Sequence, residues 1–128
     1  MTKIALITGS AAGIGESVAS YFDTQGYQLI LVDKNAERNQ ALASRCSNAR
    51  CVALDLTDRG ALSAFCKDLE AQSLDIAFIN AGVAIPGNVL NLSEALIDLH
   101  LDVNLRSAIL LNRACATTMV KAGHGHII

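Results

Sequence analysis

A glycine-rich segment near the start of the chain, residues 3–15 (KIALITGSAAGIG), constrains the fold more than any other stretch. Its four apolar residues IALI predict a buried strand of a parallel sheet that is covered on both faces. Gly9, Gly13 and Gly15 then predict a tight turn, and the pattern beyond Gly15 is helical. Such a turn offers free backbone N–H groups and the positive end of a helix dipole, and both favour a phosphate group. Glycine suits this position because a Cβ would hold the phosphate away from the backbone.

Strand-like and helix-like stretches alternate along the whole chain. After the first strand at 4–7, further strands are predicted at 28–32, 50–54, 75–79 and from 126 onward. Helices are predicted at 15–25, at 36–46, after Thr57 or Asp58, at 93–101 and at 103–121, and residues 83–92 are expected to form a loop. This alternation predicts one parallel sheet in a three-layer α/β/α fold. With right-handed crossovers it becomes a Rossmann-type, doubly wound sheet with strand order 3-2-1-4-5.

Length and composition place limits on the function. The 128 residues suffice for one domain, and the net charge of −2 gives no argument for nucleic acid or an anionic membrane. No apolar run is long enough to span a bilayer, and because the sequence starts directly with a predicted strand we expect no signal peptide. The four cysteines lack C-x-x-C spacing. We therefore expect reduced thiols, no metal site and a cytoplasmic protein. The mean hydropathy of +0.36 is high for a small domain and indicates a buried partner surface or missing chain.

Four groups with binding chemistry fall at carboxyl ends of predicted strands, where open α/β sheets bind ligands. They are the glycine turn, Asp33, Asp55 and the sequence Asn80-Ala81-Gly82. Asp33 or Asp55 alone could simply cap a helix or start a turn. Together the groups match a dinucleotide, with phosphates at the turn, the ribose at the second strand and adenine at the third.

Asp33 is the most informative single residue. It lies 20 positions after Gly13, the spacing expected for the acid that accepts both ribose hydroxyls. The same carboxylate repels a 2′-phosphate by about 1–4 kcal/mol per charge pair at 4 Å. The sequence therefore predicts NAD(H) over NADP(H), although Lys34 beside it could accept a 2′-phosphate.

These motifs together resemble the short-chain dehydrogenase/reductase family. The glycine spacing is G-x-x-x-G-x-G rather than the common G-x-G-x-x-G, and Asp55, Asn80-Ala81-Gly82 and Asp102-Val103-Asn104 follow in the family's order. The resemblance implies an NAD-dependent oxidoreductase that transfers hydride between nicotinamide and an alcohol or carbonyl substrate. It also implies a set of cofactor-binding residues: Gly9, Ser10, Ala12, Gly13, Ile14, Gly15, Asp33, Asp55, Leu56, Asn80, Ala81 and Gly82. Asn104 would be the catalytic asparagine that holds a water in the proton relay, although an asparagine at a helix end also bonds to backbone for ordinary reasons.

One departure from the family pattern is serious. The family's hydride transfer uses a serine and a Tyr-x-x-x-Lys set beyond the fifth strand, and this sequence ends within that strand. Tyr21 and Tyr27 are followed four residues later by Gln25 and Leu31 and cannot fill the role. We therefore expect residues 1–128 to be the NAD(P)-binding part of a longer single-domain dehydrogenase, inactive alone.

The sequence also allows two other functions and suggests one oligomer interface. The alternatives are a catalytically incomplete dinucleotide-binding module and, less favoured by the glycine spacing, an S-adenosylmethionine-dependent methyltransferase. A homo-oligomer is expected to form through the helix at 103–121. Its apolar stripe, Ala108, Leu111, Ala114, Cys115 and Thr118, could equally pack on the sheet.

Overall fold

A computed structural model describes all 128 residues and contains one five-stranded parallel sheet. The strands are β1 (Ile4–Thr8), β2 (Gln28–Asp33), β3 (Ala49–Ala53), β4 (Ile76–Ile79) and β5 (His126–Ile127). Their order across the sheet is β3-β2-β1-β4-β5, which confirms the predicted doubly wound topology. The helices are α1 (Gly13–Thr24), α2 (Ala36–Ala43), α3 (Arg59–Glu70), α4 (Glu94–His100), a π-helical turn (Leu101–Arg106) and α5 (Ser107–Ala122). A short 3-10 turn, Val89–Asn91, interrupts the loop before α4.

The core has two parts because successive side chains of a strand point to opposite faces of the sheet. Ile7 and Leu31 pack with Leu42 on the face covered by α1 and α2. Leu6 and Ile30 belong to the larger cluster formed with α3 and α5 on the other face. The central strands are therefore buried on both sides, as their continuous apolar runs predict.

Several predicted boundaries differ from the structure by one to three residues: α1, for example, begins at Gly13 rather than at residue 15, and β3 covers 49–53 rather than 50–54. The second helix ends at Ala43 rather than at residue 46, because Arg45 and Cys46 donate their N–H groups three residues back, to Leu42 and Ala43, in a tight turn. The second strand runs one residue further than predicted and includes Asp33.

The two helices predicted at 93–101 and 103–121 form one continuous helical run. The backbone keeps right-handed helical angles at His100, Leu101 and Ser107, so the π-helical turn joins α4 to α5 without a break. No glycine or proline lies between Glu94 and Ala122 to end the helix. It stops at Gly123, whose φ of +76° is left-handed.

The apolar stripe of the long helix belongs mainly to the core. Leu111, Ala114, Cys115 and Thr118 are buried, and the first three lie in the larger cluster. A different row of α4, the π-helical turn and α5 is exposed, with Leu101, Leu105 and Ile109 on it.

Candidate functional site

The glycine turn between β1 and α1 has a shape that side chains would prevent. Gly9 and Gly13 have φ angles of +67° and +59°, in the left-handed region. A Cβ on Gly15 would overlap the carbonyl oxygen of Gly9 and come within 2.7 Å of its carbonyl carbon. Ala12 precedes α1 without a side-chain cap, whereas α2, α3 and α4 are each capped by a side chain. The first N–H groups of α1 are therefore left for another acceptor.

Asn80 and Ala81 tie the end of β4 to this turn. The Asn80 Nδ2 group donates to the carbonyl oxygens of Thr8 and Gly9 at 3.2 and 3.4 Å. The Ala81 N–H donates to the Thr8 hydroxyl at 3.1 Å. These bonds join the ends of β1 and β4 at the point where the order of the strands reverses. Asn80 therefore stabilises the contact between these two strands.

Asp33 lies at the end of β2, directly beside the turn. Its carboxylate accepts the Ala11 N–H at 3.0 Å and the Asn35 N–H at 2.8 Å, and the residue is half-buried. The Gly9 N–H donates to the Val32 carbonyl at 2.8 Å. Backbone N–H groups thus hold the Asp33 carboxylate beside the turn, at the position expected for the ribose.

Ser10 points away from the cleft. The residue is fully buried, and its hydroxyl donates to the Asn39 side chain at 2.7 Å. Asn39 in turn donates to the Leu31 carbonyl at 2.9 Å. The Ser10 hydroxyl therefore connects the glycine turn to α2 through a hydrogen bond. Any contact of Ser10 with a cofactor stays a prediction.

Asp55 follows β3 and is exposed. Its carboxylate accepts the Thr57 N–H at 2.9 Å and the Thr57 hydroxyl at 2.8 Å. The bond from the Thr57 backbone, then that from the hydroxyl, and the nearby Lys34 ammonium lower the pKa of Asp55 below its ordinary value. Asp55 therefore presents a charged acceptor at the rim of the cleft.

A cleft of about 180 Å³ opens between the ends of β2, β3 and β4. Six of the predicted site residues line it: Gly9, Asp33, Asp55, Leu56, Ala81 and Gly82. Val32 and Leu54 add apolar surface. Gly13 and Ile14 instead border a separate, more open groove beside Phe78. The structure thus brings half of the predicted cofactor residues into one cleft, and Ala12, Gly13 and Gly15 lie in the adjoining turn.

Asn104 lies on the π-helical turn and pairs with backbone. Its Oδ1 accepts the Val83 N–H at 2.7 Å, and its Nδ2 donates to the Val83 carbonyl at 2.7 Å. This two-way pairing holds the segment after β4, and a Cβ on Gly82 would lie 3.3 Å from the same Oδ1. The catalytic role of Asn104 stays a prediction.

Two further contacts near the π-helical turn are not predicted from the sequence. His100, at the end of α4, is half-buried and accepts the Ile85 N–H through Nε2 at 3.1 Å. Its i, i+4 spacing from Asn104 is the signal that both face the same loop. Arg59 at the start of α3 pairs with Asp102 at 3.0 Å, a long-range contact that no local pattern reveals.

Neither metal-ligand clusters nor disulfides nor membrane-spanning helices occur in the structure. No group of three or more His, Cys, Asp or Glu side chains is placed to hold a metal ion. The four cysteines are unbridged. None of the helices combines the length and the hydropathy that a membrane span requires.

Comparisons with known proteins identify the family of the chain. A family model described as short chain dehydrogenase matches residues 3–128. The oxidoreductase UcpA of Salmonella typhimurium is 35% identical over 132 aligned residues, which cover 98% of this chain and 50% of that protein. The D-threitol dehydrogenase of Mycolicibacterium smegmatis is also 35% identical, over 98% of this chain and 51% of its own length.

A solved structure gives the same result for the fold. The short-chain dehydrogenase of Sphingobium yanoikuyae in complex with NADPH superimposes with a TM-score of 0.94 at 30% identity, over 98% of this chain and 52% of that one. The chain spans about half the length of the curated relatives that it matches. With the glycine turn, the strand order and the family match in agreement, the chain belongs to the short-chain dehydrogenase family.

Proposed function

We propose that residues 1–128 form the NAD(H)-binding domain of an enzyme that transfers hydride between nicotinamide and an alcohol or carbonyl substrate. The observation that carries the proposal is the cleft where Gly9, Asp33 and Asp55 meet beside an uncapped helix. The parent protein's activity is part of the proposal, because the matched relatives are about twice as long.

The turn fits a pyrophosphate. A Cβ built on Gly13 meets no atom within 4 Å, so open space adjoins the backbone at the start of α1. The free N–H groups and the helix dipole both favour an anion there. Gly13 and its neighbours Ile14 and Gly15 would hold the pyrophosphate by backbone alone.

Asp33 supports NAD over NADP. Its two oxygens already accept one N–H each, and each has a further lone pair for a ribose hydroxyl. Hydrogen bonds to a charged group contribute roughly 1.5–3 kcal/mol each, and a 2′-phosphate would replace this gain with repulsion. The Sphingobium structure contains NADPH, so the shared fold does not by itself favour NAD, and the proposal of NAD rests on Asp33.

Adenine fits the other end of the cleft. Val32, Leu54 and Leu56 offer buried apolar surface, and the Asp55 carboxylate can accept the exocyclic amino group. The Thr57 hydrogen bonds that lower the pKa of Asp55 favour the charged form of that acceptor.

The bound cofactor would supply or accept the hydride. Asn80, Ala81 and Gly82 would shape the cleft wall, and Asn104 would hold the adjoining segment and a proton-relay water. The D-threitol dehydrogenase among the relatives acts, by its name, on a polyol, which supports an alcohol/carbonyl substrate class.

The protein is further proposed to be a cytoplasmic homo-oligomer. Four unbridged cysteines favour a reducing compartment. The exposed row Leu101, Leu105 and Ile109 offers an apolar helix face that a second copy could cover. This row, rather than the buried stripe of α5, is the proposed interface.

A binding titration tests the cofactor proposal. Fluorescence titrations with NADH and NADPH are compared for the wild type, Asp33→Asn and a control, Asp68→Asn, which removes the same charge from the exposed face of α3. We expect NADH to bind at least about tenfold more tightly than NADPH, the equivalent of about 1.4 kcal/mol. Asp33→Asn should reduce this ratio and Asp68→Asn should not. Equal binding of both cofactors by the wild type would refute NAD selectivity, and binding of neither would refute the proposed function.

A further inference from the structure

We infer that His100 is a positioning residue that fixes one wall of the dinucleotide cleft. The inference rests on the proposed function, since it concerns the same cleft. His100 and Asn104 lie one helical turn apart and both bond to the backbone of the loop that follows β4. Together they form a two-point attachment of residues 83–85 to the helix.

The His100 ring is fixed by both of its nitrogens. The Ile85 N–H must donate to Nε2, at 3.1 Å, so Nε2 carries no proton. The ring proton is then on Nδ1, which donates to the Leu96 carbonyl at 2.7 Å. The two contacts assign one neutral tautomer and one ring orientation to His100.

The two attached elements both contribute residues to the cleft wall. Gly82 and Val83 of the loop line the cleft, and so do Leu99 and Val103, which flank His100 on the helix. The separation between these two parts therefore depends on the bonds from His100 and Asn104.

Burial of apolar side chains does little to hold the loop in place. Its large residues Ile85, Val89 and Leu90 are 45%, 78% and 87% exposed. A loop with so little buried surface opens easily. Polar bonds to its backbone consequently decide where it lies, and of the bonds that join the loop to the helix the His100 bond is the furthest along the loop.

Two substitutions separate the hydrogen bond from the volume of the side chain. His100→Phe keeps a ring and removes the acceptor, whereas His100→Gln keeps an acceptor with the same number of bonds from the backbone. We expect His100→Phe to weaken NADH binding by about three- to tenfold, the effect of losing one ordinary hydrogen bond. The Ile85 amide should also exchange its hydrogen faster in this variant. His100→Gln should restore both properties to within about twofold of the wild type.

The outcomes are distinguishable. Wild-type NADH affinity in His100→Phe, or equal weakening in both variants, would overturn the role of the Nε2 acceptor. Nitrogen NMR of wild-type His100 needs no variant, and a proton on Nε2 would overturn the inference even if His100→Phe fails to fold. A wild type that binds no dinucleotide refutes the proposed function itself, and with it the cleft whose wall His100 is proposed to fix.

Discussion

Gly15→Ala is the substitution with the best-defined expected effect. The added Cβ would overlap the Gly9 carbonyl oxygen, and would lie 2.7 Å from the carbonyl carbon and 2.9 Å from Asn80 Nδ2. The Gly9 oxygen and carbon are backbone atoms, and the Gly9 N–H donates a hydrogen bond to the Val32 carbonyl, which holds the turn in place. They cannot rotate away as a flexible side chain could, so β1 and α1 must separate.

The size of the effect follows from this geometry. Inserting a methyl group into a packed interior costs about 1–3 kcal/mol, and occasionally more when backbone must shift. We expect about 3 kcal/mol for Gly15→Ala, because the obstructing atoms are backbone. For a domain of this size, each kcal/mol lowers Tm by about 4 °C, so the expected decrease is about 12 °C.

Gly13→Ala is the matched control, two residues away in the same turn. Its added Cβ meets no atom within 4 Å, so only the left-handed φ of +59° opposes it. A non-glycine residue in that conformation costs roughly 1–2 kcal/mol. Because the open space is the proposed pyrophosphate position, Gly13→Ala should weaken NADH binding by at least about tenfold, while it lowers Tm by about 4–8 °C, less than Gly15→Ala does.

Thermal unfolding followed by circular dichroism, together with NADH titration, measures both effects. The expected pattern is a large loss of stability for Gly15→Ala and a loss of binding with modest destabilisation for Gly13→Ala. If Gly15→Ala unfolds within about 2 °C of the wild type, less than the shift for 1 kcal/mol, the steric account of this turn is wrong. If Gly13→Ala binds NADH like the wild type, the phosphate does not lie at the start of α1.

Three further predictions concern other parts of the chain. Burial, with a smaller contribution from Cys66, raises the pKa of Cys115 from 9.0 to about 12. As the pH rises, the Cys115 thiol therefore loses its proton at a lower pH in the unfolded chain than in the folded one. The free energy of unfolding should therefore fall as the pH rises from 9 toward 12, by roughly 1 kcal/mol at pH 10, and urea titrations of Cys115→Ala should show a smaller decrease. Arg59→Met removes the ion pair with Asp102 and should lower the free energy of unfolding by less than about 1 kcal/mol, because the Arg59 side chain is largely exposed. Added salt should remove this difference in stability between the variant and the wild type. Leu105→Glu should dissociate the proposed oligomer in sedimentation experiments while the monomer stays folded, and an unchanged sedimentation coefficient would place the interface elsewhere.

The sheet could be predicted from local patterns because each of its central strands is an uninterrupted apolar run. Gly9, Gly13 and Gly15 mark the turn by residue type alone, and Asp33 by its distance from Gly13. These features are local in the sequence, so no knowledge of distant contacts is needed to find them.

The remaining features depend on contacts between distant residues. The Ser10 hydroxyl bonds to Asn39, 29 positions later, and nothing near Ser10 in the sequence indicates that it turns away from the cleft. His100 and Ile85 meet because the loop folds back over the helix. The continuous helix through Leu101–Arg106 was missed because a π-helical turn has no sequence signature comparable to that of glycine or proline.

Binding of NADH at the carboxyl ends of β1, β2 and β3 can be tested residue by residue by nitrogen–proton NMR of the labelled 128-residue chain. On addition of NADH, we expect the largest amide shifts at Gly13 to Gly15, at Asp33 and Lys34, and around Asp55. Amides at the opposite end of the sheet, such as His126, should stay unchanged. Shifts confined to that opposite end, or none at saturating NADH, would contradict the account.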